Sequence, residues 1–213
     1  MTVVEFAAYI VVAVVAYLLG SIPTGFLVAK AKGVDIRTVG SGNIGATNVF
    51  RVLGKGAGIF VLLFDALKGW AAVTVAAPLA GQFFQDAPVD YLQITAGITA
   101  ILGHNFTCWL HFKGGKGIAT SAGVLVALVP VALLIILAIW IILFLATRYV
   151  SLGSIGAAAT LPFATWFTKH DIGLTVVTGA LGALAIYKHR TNIQRLMNGT
   201  ENRISFKKKN HHE

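Results

Sequence analysis

Apolar residues in this chain fall in long unbroken runs, not in the three-and-four spacing of a helix with one wet face. Six runs stand out, over residues 6–29, 57–80, 92–108, 117–146, 152–167 and 172–187. The fourth is too long for one crossing, because about thirty residues at ~1.5 Å each reach ~45 Å through a hydrocarbon layer of ~30 Å. Pro130 lies inside it and disfavours helix in the residue before it, which predicts a re-entry there and two shorter helices. The pattern therefore predicts an all-α polytopic membrane helix bundle. Its seven transmembrane helices fall at about 6–29, 57–80, 91–106, 117–129, 131–147, 151–168 and 172–188, in a single integral membrane domain spanning 1–213.

Charge parity favours seven. With the N-terminus outside, Lys30, Lys32, Arg37, Arg51, Lys55, Lys113, Lys116, Arg148 and the segment from Lys188 onward all face the cytoplasm. The outer connections "GQFFQDAPVD" and "KHD" then carry only Lys169 as a base. Six spans would put the C-terminal segment opposite the other basic blocks. The leading "MTVVEF" is acidic and its positive charges come after the first run, so that run reads as an anchor and not as a cleaved signal. The basic end, 204–213, reads as a disordered tail near anionic lipid.

Composition agrees: 213 residues are 56% hydrophobic and 12% charged, with a mean hydropathy of +0.78. The formal charge of +9 is explained by orientation and anionic headgroups, so no nucleic-acid partner is expected. A single cysteine, Cys108, offers neither an internal disulfide nor a metal site, and His104 and His111 lack a further ligand pattern. No metal and no cofactor are expected.

Three polar blocks remain, all on the predicted cytoplasmic side. In "VGSGNIGATNVFRVLGKG" the G-x-G-x-x-G spacing lacks the preceding strand that would make it a dinucleotide site. Its glycines can still turn backbone N–H groups onto an anion, with Ser41, Asn43, Thr47 and Asn48 as side-chain donors and Arg51 as a planar fork. The same glycines would also serve a plain connector. "GHNFTCWLHFKGGKGIAT" sets Lys113 and Lys116 among glycines just ahead of an apolar helix, whose N-terminal N–H groups favour a phosphate. Positive-inside charge accounts for these lysines equally, and Phe106, Trp109 and Phe112 read as interfacial aromatics. In "YKHRTNIQRLMNGTENR" a continuing helix puts His189 and Asn192 on one face, with Arg195 a turn further; a solvated basic helix end has the same look. Asp65 and Lys68, spaced i, i+3 within a span, read as a neutralising structural pair. Arg148 with "YVSLGSIG" reads as a tight turn with Ser151 capping the next helix.

Taken together, "GSGNIGATNVFRVLGK", "GHNFTCWLHFKGGKGIAT" and "KHRTNIQRLMNGTE" resemble the motifs of the bacterial membrane acyltransferases that use acyl phosphate to acylate glycerol-3-phosphate. The resemblance implies a seven-helix, cofactor-free enzyme of the bacterial inner membrane, its site facing the cytoplasm, that makes lysophosphatidic acid and inorganic phosphate. It implies that Ser41, Gly42, Asn43, Gly45, Thr47, Asn48 and Arg51 hold the acyl phosphate. It places glycerol-3-phosphate on Lys113, Lys116, His189, Asn192 and His104, with Arg51, Lys116, His189 and Asn192 as the catalytic set. Phe106-Thr107 stands where the family usually has Phe-Pro, and Lys188 replaces a commoner arginine. Partners implied are the two substrates and membrane lipid, for a monomer.

No His-x4-Asp dyad exists: five residues after His104, His111, His170 and His189 stand Trp109, Lys116, Thr175 and Gln194. That absence suggests substrate-assisted transfer, with an oxygen of the donor's phosphate taking the hydroxyl proton; His189 as general base is the competing version. A carrier for an organic phosphate is the alternative of another class.

Overall fold

The computed structural model describes residues 2–85 and 87–204. Asp86, in an expected outer connection, and 205–213, most of the expected basic tail, lie outside the described residues. Among the described residues the regular structure is helical: α1 (Val3–Ser21), α2 (Thr24–Lys30), α3 (Ala46–Leu53), α4 (Lys55–Ala71), a π-helical turn (Ala72–Ala76), α5 (Ala77–Phe83), α6 (Val89–Asn105), α7 (Ile118–Leu128), α8 (Pro130–Thr147), α9 (Val150–Lys169), α10 (Ile172–Lys188) and α11 (Arg190–Met197). Among the described residues four helical stretches are long and apolar enough to cross a bilayer: Val3–Lys30, Lys55–Phe83, Pro130–Thr147 and Val150–Lys169. A fifth forms if α10 and α11, bent by 55°, count as one; Ile118–Leu128 is a shorter apolar helix.

Two compact units divide the chain, residues 1–130 and 131–213. In the first, the packing is inverted relative to a soluble protein. Helix α1 buries the small stripe Ala8, Val12, Ala16 and Gly20 and turns Val3, Phe6, Ile10, Val14 and Leu18 outward. It packs along α6, which presents Leu92, Ala96, Ala100 and Gly103. The approach is close enough that a Cβ on Gly20 would collide with the Ala100 carbonyl, and one on Gly103 with the Tyr17 carbonyl. Small residues let backbones meet where large apolar ones already have lipid as solvent. Helices α4 and α7 pair in the same way through Gly69 and Gly123. In the second unit α9 lies along α10, with Gly182 against Ala158.

Several expectations need correction. The run over 6–29 is not one helix: Pro23 lacks the N–H that would continue it, and the chain breaks at Ile22–Pro23. The run over 57–80 contains the π-helical turn, because Pro78 cannot donate to the carbonyl four residues back and the preceding turn widens to accommodate it. Helix α3 was not anticipated within the glycine-rich stretch. Nor does the last span run on straight: it bends at His189. Ser151 is not a cap either; α9 starts after Tyr149 and its N-cap makes no side-chain bond, leaving Ser151 inside the helix. Ile204, expected in the disordered tail, donates its N–H to the Arg148 carbonyl at 3.0 Å. The Asp65–Lys68 pair is present as read, at 2.8 Å and buried.

Close backbone approach makes a sharp prediction. A Cβ at Gly123 would strike the Ala66 carbonyl. Gly123→Val should therefore lower stability by about 1–3 kcal/mol, read as a reduced thermal midpoint in detergent. Gly56, in the first turn of α4 with nothing within 4 Å, is the control: Gly56→Ala should hold or raise the midpoint, by up to about 1 kcal/mol. Equal losses at both positions would contradict the packing.

Candidate functional site

Within the first unit the first two polar blocks share one foundation. Ile36 and Ile44 from the first loop, Val49 of α3, Ala29 of α2, Val61 of α4 and Leu110 of the second loop form a single buried cluster. The loops are thus neighbours, each pinned by its own apolar residues.

The first loop is shaped by one side chain. Asn48 is 2% exposed. Its Oδ1 accepts the Ser41 N–H at 2.9 Å, and its amide nitrogen donates to the carbonyls of Asn43 (2.9 Å), Val39 (3.1 Å) and Ile36 (3.2 Å). Asn43 Oδ1 in turn accepts the Gly45 N–H at 2.8 Å. Gly40 and Gly42 have φ of 62° and 69°, and a side chain at Gly40 would run into the Asn48 amide oxygen. Asn48 therefore spends its amide on the loop itself, whereas Ser41 and Thr47 are half-buried at its rim. Arg51, also half-buried, is one turn beyond Thr47 on the same face of α3. The N-terminal turn of α3, whose N–H groups lack intrahelical partners, opens beside them. Arg37 is paired at 2.7 Å with Asp35. The Arg37 side chain first, and its backbone N–H second, hold the exposed Asp35 carboxyl at about 2.

The second loop folds back over the end of α6. Gly114 N–H donates to the Asn105 carbonyl (3.2 Å) and Gly115 N–H to the His104 carbonyl (3.0 Å). No side chain fits there: a Cβ on Gly114 would meet the His104 carbonyl, on Gly115 the His104 Nε2, and on Gly117 the Asn105 Oδ1 at 2.7 Å. Gly117, at φ 81°, is the N-cap of α7 and makes no side-chain cap bond. Lys116 is half-buried beside that helix terminus and Lys113 is exposed. His104 lies beneath the loop, 6% exposed, with Nδ1 3.8 Å from Asp65 Oδ1.

The third block belongs to the second unit. His189, 3% exposed, sits at the bend between α10 and α11. Its Nδ1 is 2.8 Å from the Ala185 carbonyl. A carbonyl can only accept, so Nδ1 carries the proton, and in the neutral ring Nε2 is the unprotonated nitrogen. Asn192 and Arg195 do not point to a common opening; they converge on Glu201. Asn192 Nδ2 donates to Oε1 at 2.7 Å, Ser151 Oγ to the same oxygen at 2.8 Å, and Arg195 Nε to Oε2 at 2.7 Å. Burial pushes the Glu201 carboxyl up, but the hydrogen bonds from Arg195, Asn192 and Ser151 and the guanidinium charge more than offset it, holding it below the ordinary glutamate range. Glu201 was missed from the sequence, although it is the one acid between Lys188 and Arg203.

A chain with apolar spans, small residues inside and large ones outside is an integral membrane protein. Residues 10–199 match the family model described as glycerol-3-phosphate acyltransferase. The glycerol-3-phosphate acyltransferase of Geotalea daltonii is 49% identical over 193 residues, covering 91% of this chain and 96% of the relative. That of Clostridioides difficile is 48% identical over 208 residues, covering 96% and 99%. Two crystal structures of PlsY (YgiH), an integral membrane glycerol 3-phosphate acyltransferase, are also similar. Its glycerol 3-phosphate form has a TM-score of 0.82 at 41% identity, covering 92% of this chain and 96% of that one. Its lysophosphatidic acid form has 0.80 at 40%, covering 92% and 95%. The chain belongs to the glycerol-3-phosphate acyltransferase family, and it is an acyltransferase.

The Glu201 cluster has a testable pH signature. A carboxyl whose folded pKa is depressed contributes stability that is fully present above its unfolded pKa of about 4.3 and is lost as pH falls through the folded value. The thermal midpoint should fall as pH drops below about 4, and Glu201→Gln should lower it at neutral pH while flattening that dependence. An unchanged pH profile in Glu201→Gln would contradict the assignment.

Proposed function

We propose that this chain transfers a fatty acyl group from acyl phosphate to the 1-hydroxyl of glycerol-3-phosphate, releasing lysophosphatidic acid and inorganic phosphate. One observation carries the reading. The solved relatives at 41% and 40% identity are in glycerol 3-phosphate and lysophosphatidic acid forms, an acceptor and a lipid that differ by one acyl group. The adjoining glycine loops support a donor that is itself a phosphate, since two anions held together need cations and N–H groups from both sides.

In this reading the enzyme is a monomer with seven spans in a bacterial inner membrane. Its N-terminus is outside, and the shorter helices α6 and α7 are counted among the crossings. Ser41, Gly42, Thr47, Arg51 and the start of α3 hold the acyl phosphate, while Asn43, Gly45 and Asn48 keep that loop in shape. Lys116, with Lys113 at the rim, takes the phosphate of glycerol-3-phosphate at the start of α7, over His104. His189 Nε2 accepts from the acceptor's hydroxyl and aligns it, and Asn192 holds the bend on which His189 sits. The hydroxyl oxygen attacks the acyl carbon, the carbon–oxygen bond to phosphate breaks, and an oxygen of the departing phosphate takes the proton. No cofactor enters the balance. Positioning and charge stabilisation do the work, each donor to the tetrahedral oxyanion contributing ~2.7–4 kcal/mol.

Purified protein given acyl phosphate and glycerol-3-phosphate should release one phosphate per lysolipid formed; no lysolipid would sink the reading. Lys116→Ala should raise the KM for glycerol-3-phosphate by about 10–100-fold, the equivalent of losing one charged hydrogen bond. Arg51→Ala should do the same to the KM for acyl phosphate. His189→Asn should raise the acceptor KM and leave most of kcat. A steep fall in kcat restored by added imidazole would replace substrate assistance with a histidine base.

A further inference from the structure

The buried ion pair in α4 does more than neutralise itself. At the break in the first span, the Ser21 and Ile22 carbonyls lose their helical partners. Thr107 Oγ1 donates to the first at 2.6 Å and Lys68 Nζ to the second at 2.7 Å. A neutral hydroxyl suffices for one carbonyl, so the break alone does not call for a charged pair, and buried ion pairs are often replaceable by apolar residues without loss. What the charge adds lies on its other side. Asp65 Oδ1, fixed by Thr24 Oγ1 at 2.9 Å and Lys68 Nζ at 2.8 Å, faces His104 Nδ1 at 3.8 Å. The opposite nitrogen of that ring, Nε2, fills the space a side chain on Gly115 would need, and the Gly115 N–H is bonded to the His104 carbonyl. The imidazole is therefore a spacer between a fixed carboxylate below and the backbone of Gly115, next to Lys116, above. Asp65, Lys68, Thr24 and His104 are all buried.

We propose that Asp65 is a positioning residue for the acceptor: through His104 it sets the height and register of the Gly114–Gly117 loop that receives the phosphate of glycerol-3-phosphate. The inference rests on the functional reading above and adds to it a residue more than one helix turn inside the membrane helix, with no contact to either substrate required. The carboxylate lies 3.8 Å from the Nδ1 edge of the ring, and the Nε2 edge meets the loop. Without the charge the Nδ1 edge of the ring loses the electrostatic partner it faces, and a shift of the ring is passed to the loop and to Lys116.

The test compares Asp65→Asn, the double variant Asp65→Asn/Lys68→Met, and Asp65→Asn combined with His104→Gln. Asp65→Asn should raise the KM for glycerol-3-phosphate, and its dissociation constant by calorimetry, about tenfold, with kcat and the acyl phosphate KM within about threefold of wild type. It should also lower the thermal midpoint, because it leaves the Lys68 charge buried without its partner. The Lys68→Met double should regain the midpoint yet keep the raised acceptor KM. The His104 double should be no worse than His104→Gln alone. A Lys68→Met double that regains both midpoint and acceptor KM, a proportional loss for both substrates, or additive losses with His104→Gln would overturn the proposal. So would failure of Asp65→Asn and of the Lys68→Met double to fold, which would make the pair purely structural. Wild-type protein that does not bind glycerol-3-phosphate would instead remove the functional reading itself, whatever the variants do.

Discussion

Where Pro23 interrupts the first apolar span, the Ser21 and Ile22 carbonyls lose the partners four residues on that a continuous helix would give them. In hydrocarbon an unpartnered backbone group costs several kcal/mol, and none is left here: the Ile22 carbonyl keeps the Thr24 N–H at 3.0 Å, and two side-chain donors are added, Thr107 Oγ1 on the Ser21 carbonyl and Lys68 Nζ on the Ile22 carbonyl. Those donors belong to two other segments, the second loop and α4. One broken helix thereby ties three segments of the first unit together. Beyond the break, α2 leans on the first loop so closely that a Cβ on Gly25 would meet the Ile44 carbonyl. Both glycine loops are thus referred to one fixed point, and their shared apolar cluster completes the footing.

On that footing there is a division of labour. Some polar residues spend their hydrogen bonds on shape: Asn48 in the first loop, and Glu201 with Ser151, Asn192 and Arg195 in the second unit. Others, Ser41, Thr47, Arg51 and Lys116, are half-buried and are the ones the proposed function assigns to the substrates. Preorganised donors of this second kind act on charge as it develops without having to reorganise first. The glycines of the second loop are there for a different reason: His104 and Asn105 already occupy the space a side chain would take.

Much of this was legible beforehand. The apolar runs fall on helical structure, because a run of that length with so little charge has few other ways to satisfy its backbone. The Asp65–Lys68 pair followed from i, i+3 spacing and the cost of either alone. Pro23 was readable but lay inside an otherwise unbroken run, and the π-helical turn before Pro78 was hidden in the same way. Asn48 and Asn192 looked like ligands because their type and neighbours suit an anion. Only coordinates show their amides turned onto the loop and onto Glu201, a long-range closure that composition and spacing do not encode. Ser151 was misread for the same reason, its partner being fifty residues on.

In the proposed reaction the enzyme holds two phosphate-bearing substrates at once and carries no acyl group on its own side chains. Initial rates measured over a matrix of acyl phosphate and glycerol-3-phosphate concentrations test this most directly. Intersecting double-reciprocal lines, the mark of a ternary complex, are the expected result. Parallel lines, with phosphate released from acyl phosphate in a burst before glycerol-3-phosphate is added, would mean a covalent acyl-enzyme and contradict it.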